Sequence, residues 1–111
     1  MGMSPEEAAE TIRELAPRYG EAKAQRAYLE EFRRAKKALL MKDSLLLGEK
    51  AVNAQEREAL ADPEYLQLLK GLAVAIEQEE SLRWQLEAAR LEIDIWRTRQ
   101  ASERLLIRSH E

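Results

Sequence analysis

The fold is decided by residues 82–98, which read LRWQLEAARLEIDIWRT. Apolar residues recur in this stretch at spacings of three and four, along two separate faces of a helix. One face is formed by Leu82, Leu86, Ala89, Ile93 and Trp96, and it continues an apolar stripe that begins with Tyr65, Leu69, Leu72 and Ile76. The opposite face is formed by Trp84, Ala88, Leu91, Ile95 and Thr98. Because each apolar face must be buried against another element, this helix needs two neighbours.

The helix that contains this stretch is expected to be very long. Asp62 and Pro63 are typical of a helix start, with Asp62 as the N-cap and Pro63 at the first helical position. No proline follows, and Gly71 is the one glycine beyond this point. The sequence therefore predicts one helix over about 63–108, roughly 65–70 Å long at 1.5 Å per residue.

The first half of the chain is expected to supply an antiparallel arm. Ser4, Pro5 and Glu7 form a capping box that starts a helix, and Gly48 is a typical stop.

Pro17 and Gly20 interrupt this first arm. They either kink it or split it into helices over about 5–15 and 18–48. A weaker capping box at Asn53 predicts a further short helix over about 54–61.

The composition favours an all-α fold. Alanine, leucine and glutamate are abundant, and these residues enter helices at little cost, whereas the chain has only 4 glycines and 3 prolines. With 111 residues there is room for one domain, residues 1–111, and no strand is expected.

Several functional classes are disfavoured. The chain has no cysteine, which excludes disulfides and thiolate chemistry. Its single histidine, His110, is the penultimate residue, a poor position for a catalytic base or a metal ligand. Glu77 and Glu80 have no nearby histidine with which to build a di-metal site, and no glycine-rich phosphate loop occurs. We therefore expect a cytoplasmic protein that is not an enzyme and holds no metal or cofactor, with no membrane span.

A turn near residue 55 would lay the two arms antiparallel, with residue i opposite roughly 113 − i. The charges agree with this register, because basic and acidic blocks then face each other. The basic block is Arg33, Arg34, Lys36 and Lys37, and the acidic block is Glu77, Glu79 and Glu80. The apolar stripe expected to face the last helix is Tyr28, Phe32, Ala35, Leu39 and Leu46. The sequence thus predicts a long antiparallel helical hairpin with a kinked first arm.

The second apolar face of the last helix predicts self-association. Two hairpins would bury it as a homodimer, in a four-helix-bundle-like or coiled-coil assembly. The predicted interface residues are Trp84, Ala88, Leu91 and Ile95. The alternative is a monomer in which the segment 54–61 folds back as a third helix.

Two basic regions are candidates for contact with nucleic acid or with a protein partner. They run from Arg26 to Lys37 and from Arg97 to Arg108, and the residues singled out are Arg26, Arg33, Lys36, Lys37, Arg97 and Arg99. The favoured interpretation is that the first group forms ion pairs with acidic residues of the last helix. The net charge of −3 implies no general attraction to nucleic acid. Trp96, among the arginines, is expected in the core.

The segments RRAKKALLMKD (33–43) and EYLQLLKGLAVAIEQEESLRWQLEAARLEIDIWRTRQ (64–100) resemble small helical accessory proteins of tailed phages and prophages, encoded near recombination and replication genes. The resemblance implies an accessory or inhibitor of a DNA-recombination, replication or host-defence protein, and it implies no catalytic residue. The expected function is therefore a homo-oligomeric helical protein-interaction module. The alternative is a nucleic-acid-binding accessory protein that uses the two basic regions.

Overall fold

The protein is all-α. A computed structural model describes residues 2–110 and contains three helices, with no strand among these residues. Helix α1 spans Pro5–Leu46, α2 spans Val52–Ala61 and α3 spans Pro63–Ser109. The predicted last helix is confirmed within one residue at its end.

The chain forms two compact units, which we name by their place in the sequence. The terminal unit comprises residues 2–20 and 80–110, and the turn unit comprises residues 21–79. Both α1 and α3 contribute to each unit, whereas α2 belongs to the turn unit alone. The expectation of one domain over residues 1–111 stays a prediction.

The break predicted near Pro17 is absent. Helix α1 is continuous from Pro5 to Leu46, with Pro17 inside it, so the separate helices over 5–15 and 18–48 are wrong. Pro17 removes one backbone hydrogen bond, but strong helix formers flank it and Leu15 is buried in the terminal unit. A local cost of this kind does not end a helix that neighbouring packing holds in place. A bend at Pro17 stays a prediction.

The predicted caps of the long helices are confirmed. The amide of Glu7 donates to Ser4 Oγ at 3.1 Å, and the amide of Glu64 donates to Asp62 Oδ1 at 2.8 Å.

The end of α1 is set by Gly48. Its φ of 107° lies in the left-handed region that favours glycine. The amides of Gly48 and Glu49 donate to the carbonyls of Leu45 and Ser44 at 3.0 and 3.1 Å, the two bonds of a Schellman motif. The helix therefore stops two residues before Gly48, at Leu46.

Helix α2 starts earlier than predicted, and hydrogen bonds to Glu49 replace the predicted cap at its start. It begins at Val52, and Ala51 is the N-cap residue, without a side-chain cap. Asn53 is therefore not the cap. The amide of Ala51 instead donates to Glu49 Oε1 at 3.2 Å, and Gln55 Nε2 donates to the Glu49 carbonyl at 2.8 Å. Because Gln55 is buried, this bond to the loop backbone anchors the start of α2.

The arms of the turn unit are antiparallel, but in another register than predicted. Arg26 pairs with Glu79 and Lys36 pairs with Glu64. The higher residue number on α1 thus pairs with the lower one on α3, as in antiparallel helices. The rule of roughly 113 − i misplaces these partners by about two to four helical turns. The reason is that α2 lies against the last part of α1, where Lys37 pairs with Glu56. Helix α3 therefore starts opposite Lys36.

The face of α3 that packs inward is largely the predicted one. Tyr65, Leu72 and Ala75 are buried in the turn unit, and Ala89 is buried in the terminal unit. Leu82, Leu86 and Ile93 are half-buried. Ile76 and Trp96 are exceptions, since both are exposed. Between Leu72 and Leu82, the buried positions at spacings of three and four are Ala75 and Glu79 and not Ile76. Trp96 is therefore not a core residue of this protomer.

The predicted inward stripe of α1 is wrong. Tyr28, Phe32, Ala35, Leu39 and Leu46 are all exposed, although Tyr28 and Phe32 stack with ring centroids 6.0 Å apart. The half-buried stripe in the turn unit is instead Ala22, Arg26, Leu29, Arg33, Lys36 and Leu40. Arginine and lysine are suited to such positions, because their aliphatic stems cover apolar surface while their charged ends reach carboxylates.

Candidate interaction surfaces

The basic residues of the turn unit are held in ion pairs. Arg26 donates from Nε and Nη2 to the two carboxylate oxygens of Glu79, at 2.6 and 3.1 Å. It also donates to Glu30 at 3.1 Å. The side chains of Arg26 and Glu79 are only 24% and 11% exposed, so the pair lies within the helix–helix seam. Its hydrogen bond to Glu79 raises the pKa of Arg26, which keeps the guanidinium charged.

Lys36 and Lys37 connect α1 to different helices. Lys36 pairs with Glu64 at the start of α3, and this hydrogen bond raises the pKa of Lys36 above its ordinary value of 10.5. Lys37 pairs with Glu56 of α2 at 2.9 Å. These two ion pairs therefore connect α1 to both of the other helices near the turn of the chain.

The expectation that the first basic region forms ion pairs with acidic residues of the last helix is confirmed for Arg26 and Lys36, whereas Lys37 pairs with a residue of α2. The carboxylates used by Arg26, Lys36 and Lys37 are those of Glu79, Glu64 and Glu56. Arg33 is half-buried in the same seam, and no ion pair of Arg33 occurs among residues 2–110. Three of the four candidate contacts in this region are thus already engaged inside the protomer.

The second basic region differs. Arg97 and Arg99 are exposed near the end of α3, and Arg97 approaches Asp94, one turn earlier, at 3.9 Å. From Arg97 to His110 every residue is exposed except Gln100, which is half-buried. This last part of α3, which we call the bare end, is therefore almost fully exposed to solvent.

The predicted self-association face is uncovered in the protomer. Trp84, Leu91 and Ile95 are 59%, 50% and 45% exposed, and Ala88 is exposed too. The guanidinium of Arg83 lies 4.9 Å from the Trp84 ring centroid, a cation–π contact that leaves most of the indole in solvent. The four residues lie within about 60° on one side of α3. They form a contiguous apolar strip on the terminal unit.

The carboxylates discussed as a metal site do not converge. No group of three or more metal-ligating side chains occurs within residues 2–110. Glu79 is committed to Arg26, whereas Glu80 and Glu87 pair with Arg83 and Arg90, each three residues further along α3. The hydrogen bond to Glu87 raises the pKa of Arg90.

A shallow recess in the turn unit was not predicted from the sequence. It has a volume of about 400 Å³ and is lined by Phe32, Lys36, Glu64, Gln67, Leu68 and Gly71. The available signal was Gly71, which leaves open space where a side chain would project from the third turn of α3.

The half-buried Arg26 and the buried Glu79 that pairs with it were also not predicted from the sequence. The signal was the spacing of three and four that runs through Ala22, Arg26, Leu29, Arg33, Lys36 and Leu40. Because half of these residues are charged, a search for apolar stripes passes over it.

Comparison with known protein families, with characterised proteins and with solved structures finds no match for this chain. Within residues 2–110, none of the helices has a stretch apolar and long enough to cross a lipid bilayer.

Proposed function

We propose that this protein is a non-enzymatic, self-associating helical module whose work is to bind other proteins. One observation carries the proposal. The strip formed by Trp84, Ala88, Leu91 and Ile95 is apolar, contiguous and exposed in the protomer. Contiguous apolar strips on a protein surface mark interaction sites, and tryptophan is a common anchor of such sites.

The engagement of the first basic region supports a protein-binding rather than a nucleic-acid-binding function. Arg26, Lys36 and Lys37 are neutralised by carboxylates within the turn unit. Nucleic-acid binding depends on basic side chains that are free to replace counterions along the phosphate backbone. The DNA-recombination, replication or host-defence partner that the phage resemblance implies stays a prediction, which affinity capture from the native host would test.

The nucleic-acid alternative has one observation in its favour. Arg97, Arg99, Arg104 and Arg108 are exposed along the bare end of α3. Titration of the wild type with single- and double-stranded DNA over a salt series separates the two functions. Self-association without DNA binding at physiological salt supports the protein module. Strong binding whose affinity falls steeply with salt would support the alternative.

Sedimentation of the wild type and of the double variant Leu91→Asp, Ile95→Asp tests self-association. The wild type should sediment as a dimer or higher oligomer at micromolar concentration. The variant should be monomeric, with an association constant lowered at least about 100-fold, because burial of each aliphatic side chain contributes roughly 1.5–3 kcal/mol.

The matched control is Leu46→Asp, Leu47→Asp, which places charges at two exposed leucines, the last residue of α1 and the residue after it. It should leave the sedimentation coefficient unchanged. A monomeric wild type would contradict the proposed function.

A further inference from the structure

The uncovered face of α3 continues beyond Ile95. The same spacing of three and four leads through Thr98, Ser102 and Leu105 to Ser109, all of which are exposed in the terminal unit. Three of the four side chains in the first half of this face are large, and three of the four in the second half are small. In order, the face consists of Trp84, Ala88, Leu91, Ile95, Thr98, Ser102, Leu105 and Ser109.

We propose that the second copy binds this face with its own α3 antiparallel, so that Ile95 of one copy lies opposite Thr98 of the other. The proposal rests on the self-association proposed above and adds its orientation and register. A two-fold axis then passes between residues 96 and 97, and the same surface serves both copies, as in a closed symmetric dimer.

Side-chain size supports this register. In the four layers on each side of the axis, Ile95 meets Thr98, Leu91 meets Ser102, Ala88 meets Leu105 and Trp84 meets Ser109. Every layer combines a larger side chain with a smaller one, which fills space evenly along a helix–helix seam.

A parallel pairing would place each residue against its own copy. Two tryptophans would then meet at Trp84, while Ala88 and Ser102 would face small side chains and leave voids. Voids and overpacked layers in one seam are both destabilising.

Charge supports the antiparallel arrangement independently. Residues that flank a seam pair with residues of the partner helix. In the proposed register Glu92 flanks Arg99 of the second copy, and Glu87 flanks its Arg108. In a parallel pairing Glu87 would instead face Glu92, a repulsive contact that occurs twice by symmetry.

The proposed dimer also covers the bare end of α3. Residues 97–109 of one copy would lie along residues 84–96 of the other. An isolated helix of about this length is marginal in water, since helices shorter than about 12–15 residues gain little from propagation. The antiparallel partner supplies the neighbour that the protomer lacks from Arg97 onward.

Cysteine cross-linking tests the arrangement, because the wild type has no cysteine. The variants Leu91→Cys and Ser102→Cys are prepared separately, mixed and oxidised mildly. In the proposed register these positions face each other in the same layer. In this register, each cysteine lies about 11 residues, or roughly 16 Å along the helix axis, from the same cysteine of the second copy. This distance exceeds the Cα separation that a disulfide tolerates. The expected dominant product is the mixed disulfide, with each variant alone remaining largely uncrosslinked.

A second mixture controls for register. Ala88→Cys with Thr98→Cys would cross-link only if the antiparallel helices were shifted by one heptad, so little mixed disulfide is expected. Charge reversal gives an independent readout. Arg99→Glu should weaken the dimer about two- to tenfold, and adding Glu92→Arg should restore most of the loss.

The outcomes separate the two proposals. A dimeric wild type in which Leu91→Cys forms a disulfide with itself would overturn the antiparallel arrangement and leave self-association standing. Cross-linking in the register control, or a mixed product no more abundant than the self-linked ones, would overturn it as well. A wild type that is monomeric by sedimentation would overturn both proposals.

Discussion

Both units contain parts of α1 and α3, but different interactions hold these two helices together in each. In the turn unit the seam contains an ion pair between half-buried Arg26 and buried Glu79, next to half-buried Arg33 and Lys36. In the terminal unit the most buried positions are Ala8, Leu15 and Ala89. A charged pair in a seam selects one register over others, whereas small apolar residues allow close approach without selecting among registers.

This contrast shows where the specificity of the fold resides. The carboxylate of Glu79 accepts two hydrogen bonds from Arg26 in this register. A shift of α3 along α1 would leave both charges in the seam without a partner. The terminal unit has no such ion pair between α1 and α3 among its described residues. Its helices are held by apolar contacts instead, and on α3 it carries the uncovered strip from Trp84 to Ile95.

The largest effect is expected at the seam of the turn unit. Glu79→Ala removes the carboxylate that accepts two hydrogen bonds from Arg26, so the free energy of unfolding should fall by about 1.5–3 kcal/mol. The matched control is Glu10→Ala, whose pair with Arg13 is exposed and should contribute about 0–1 kcal/mol. Urea denaturation followed by circular dichroism measures both changes. Equal changes for the two variants would contradict the distinction between the seams.

The double variant Arg26→Leu, Glu79→Leu sharpens this test. Replacing both members of a buried pair by apolar residues is often neutral or stabilising. We therefore expect the stability lost in Glu79→Ala to be largely recovered, while the register becomes less strictly defined. A double variant as unstable as the single one would show that the charges themselves stabilise the seam.

A comparable or smaller effect is expected in the terminal unit. Ala89 is 1% exposed, so Ala89→Leu overfills the space between the helices and should cost about 1–3 kcal/mol. The half-buried Leu86 and Ile93 can shift toward solvent and reduce this cost. The control is Ala101→Leu on the exposed end of α3, where the two residues have similar helix propensity. If both variants unfold at the wild-type urea midpoint, the terminal unit is not closely packed at Ala89.

The smallest effect concerns pH. The pKa of Lys36 is raised by its hydrogen bond to Glu64, so the stability that this pair contributes is present below the ordinary value of 10.5. It is lost as the pH rises through the higher pKa of the folded state. Lys36→Gln should therefore lower the urea midpoint at neutral pH, and this difference from the wild type should shrink at strongly alkaline pH. A difference that stays constant across this range would show that Lys36 acts through packing alone.

The sequence by itself determined the elements that depend on local chemistry. The caps at Ser4 and Asp62, the stop at Gly48 and the extent of α3 all follow from which backbone groups a nearby side chain can satisfy or which φ a residue can adopt. The inward face of α3 followed from apolar spacing, because most of its residues are apolar.

Only the tertiary structure decided the register, the continuity of α1 and the face that α1 turns inward. Folding back of α2 displaced the start of α3 to the level of Lys36, which no local signal encodes. Packing kept α1 helical through Pro17, since neighbouring contacts outweigh the loss of one hydrogen bond. The same packing placed half-buried Arg26 in the seam and left Tyr28 in solvent. A guanidinium paired with a carboxylate satisfies its charge in the seam, and that pairing depends on where α3 lies.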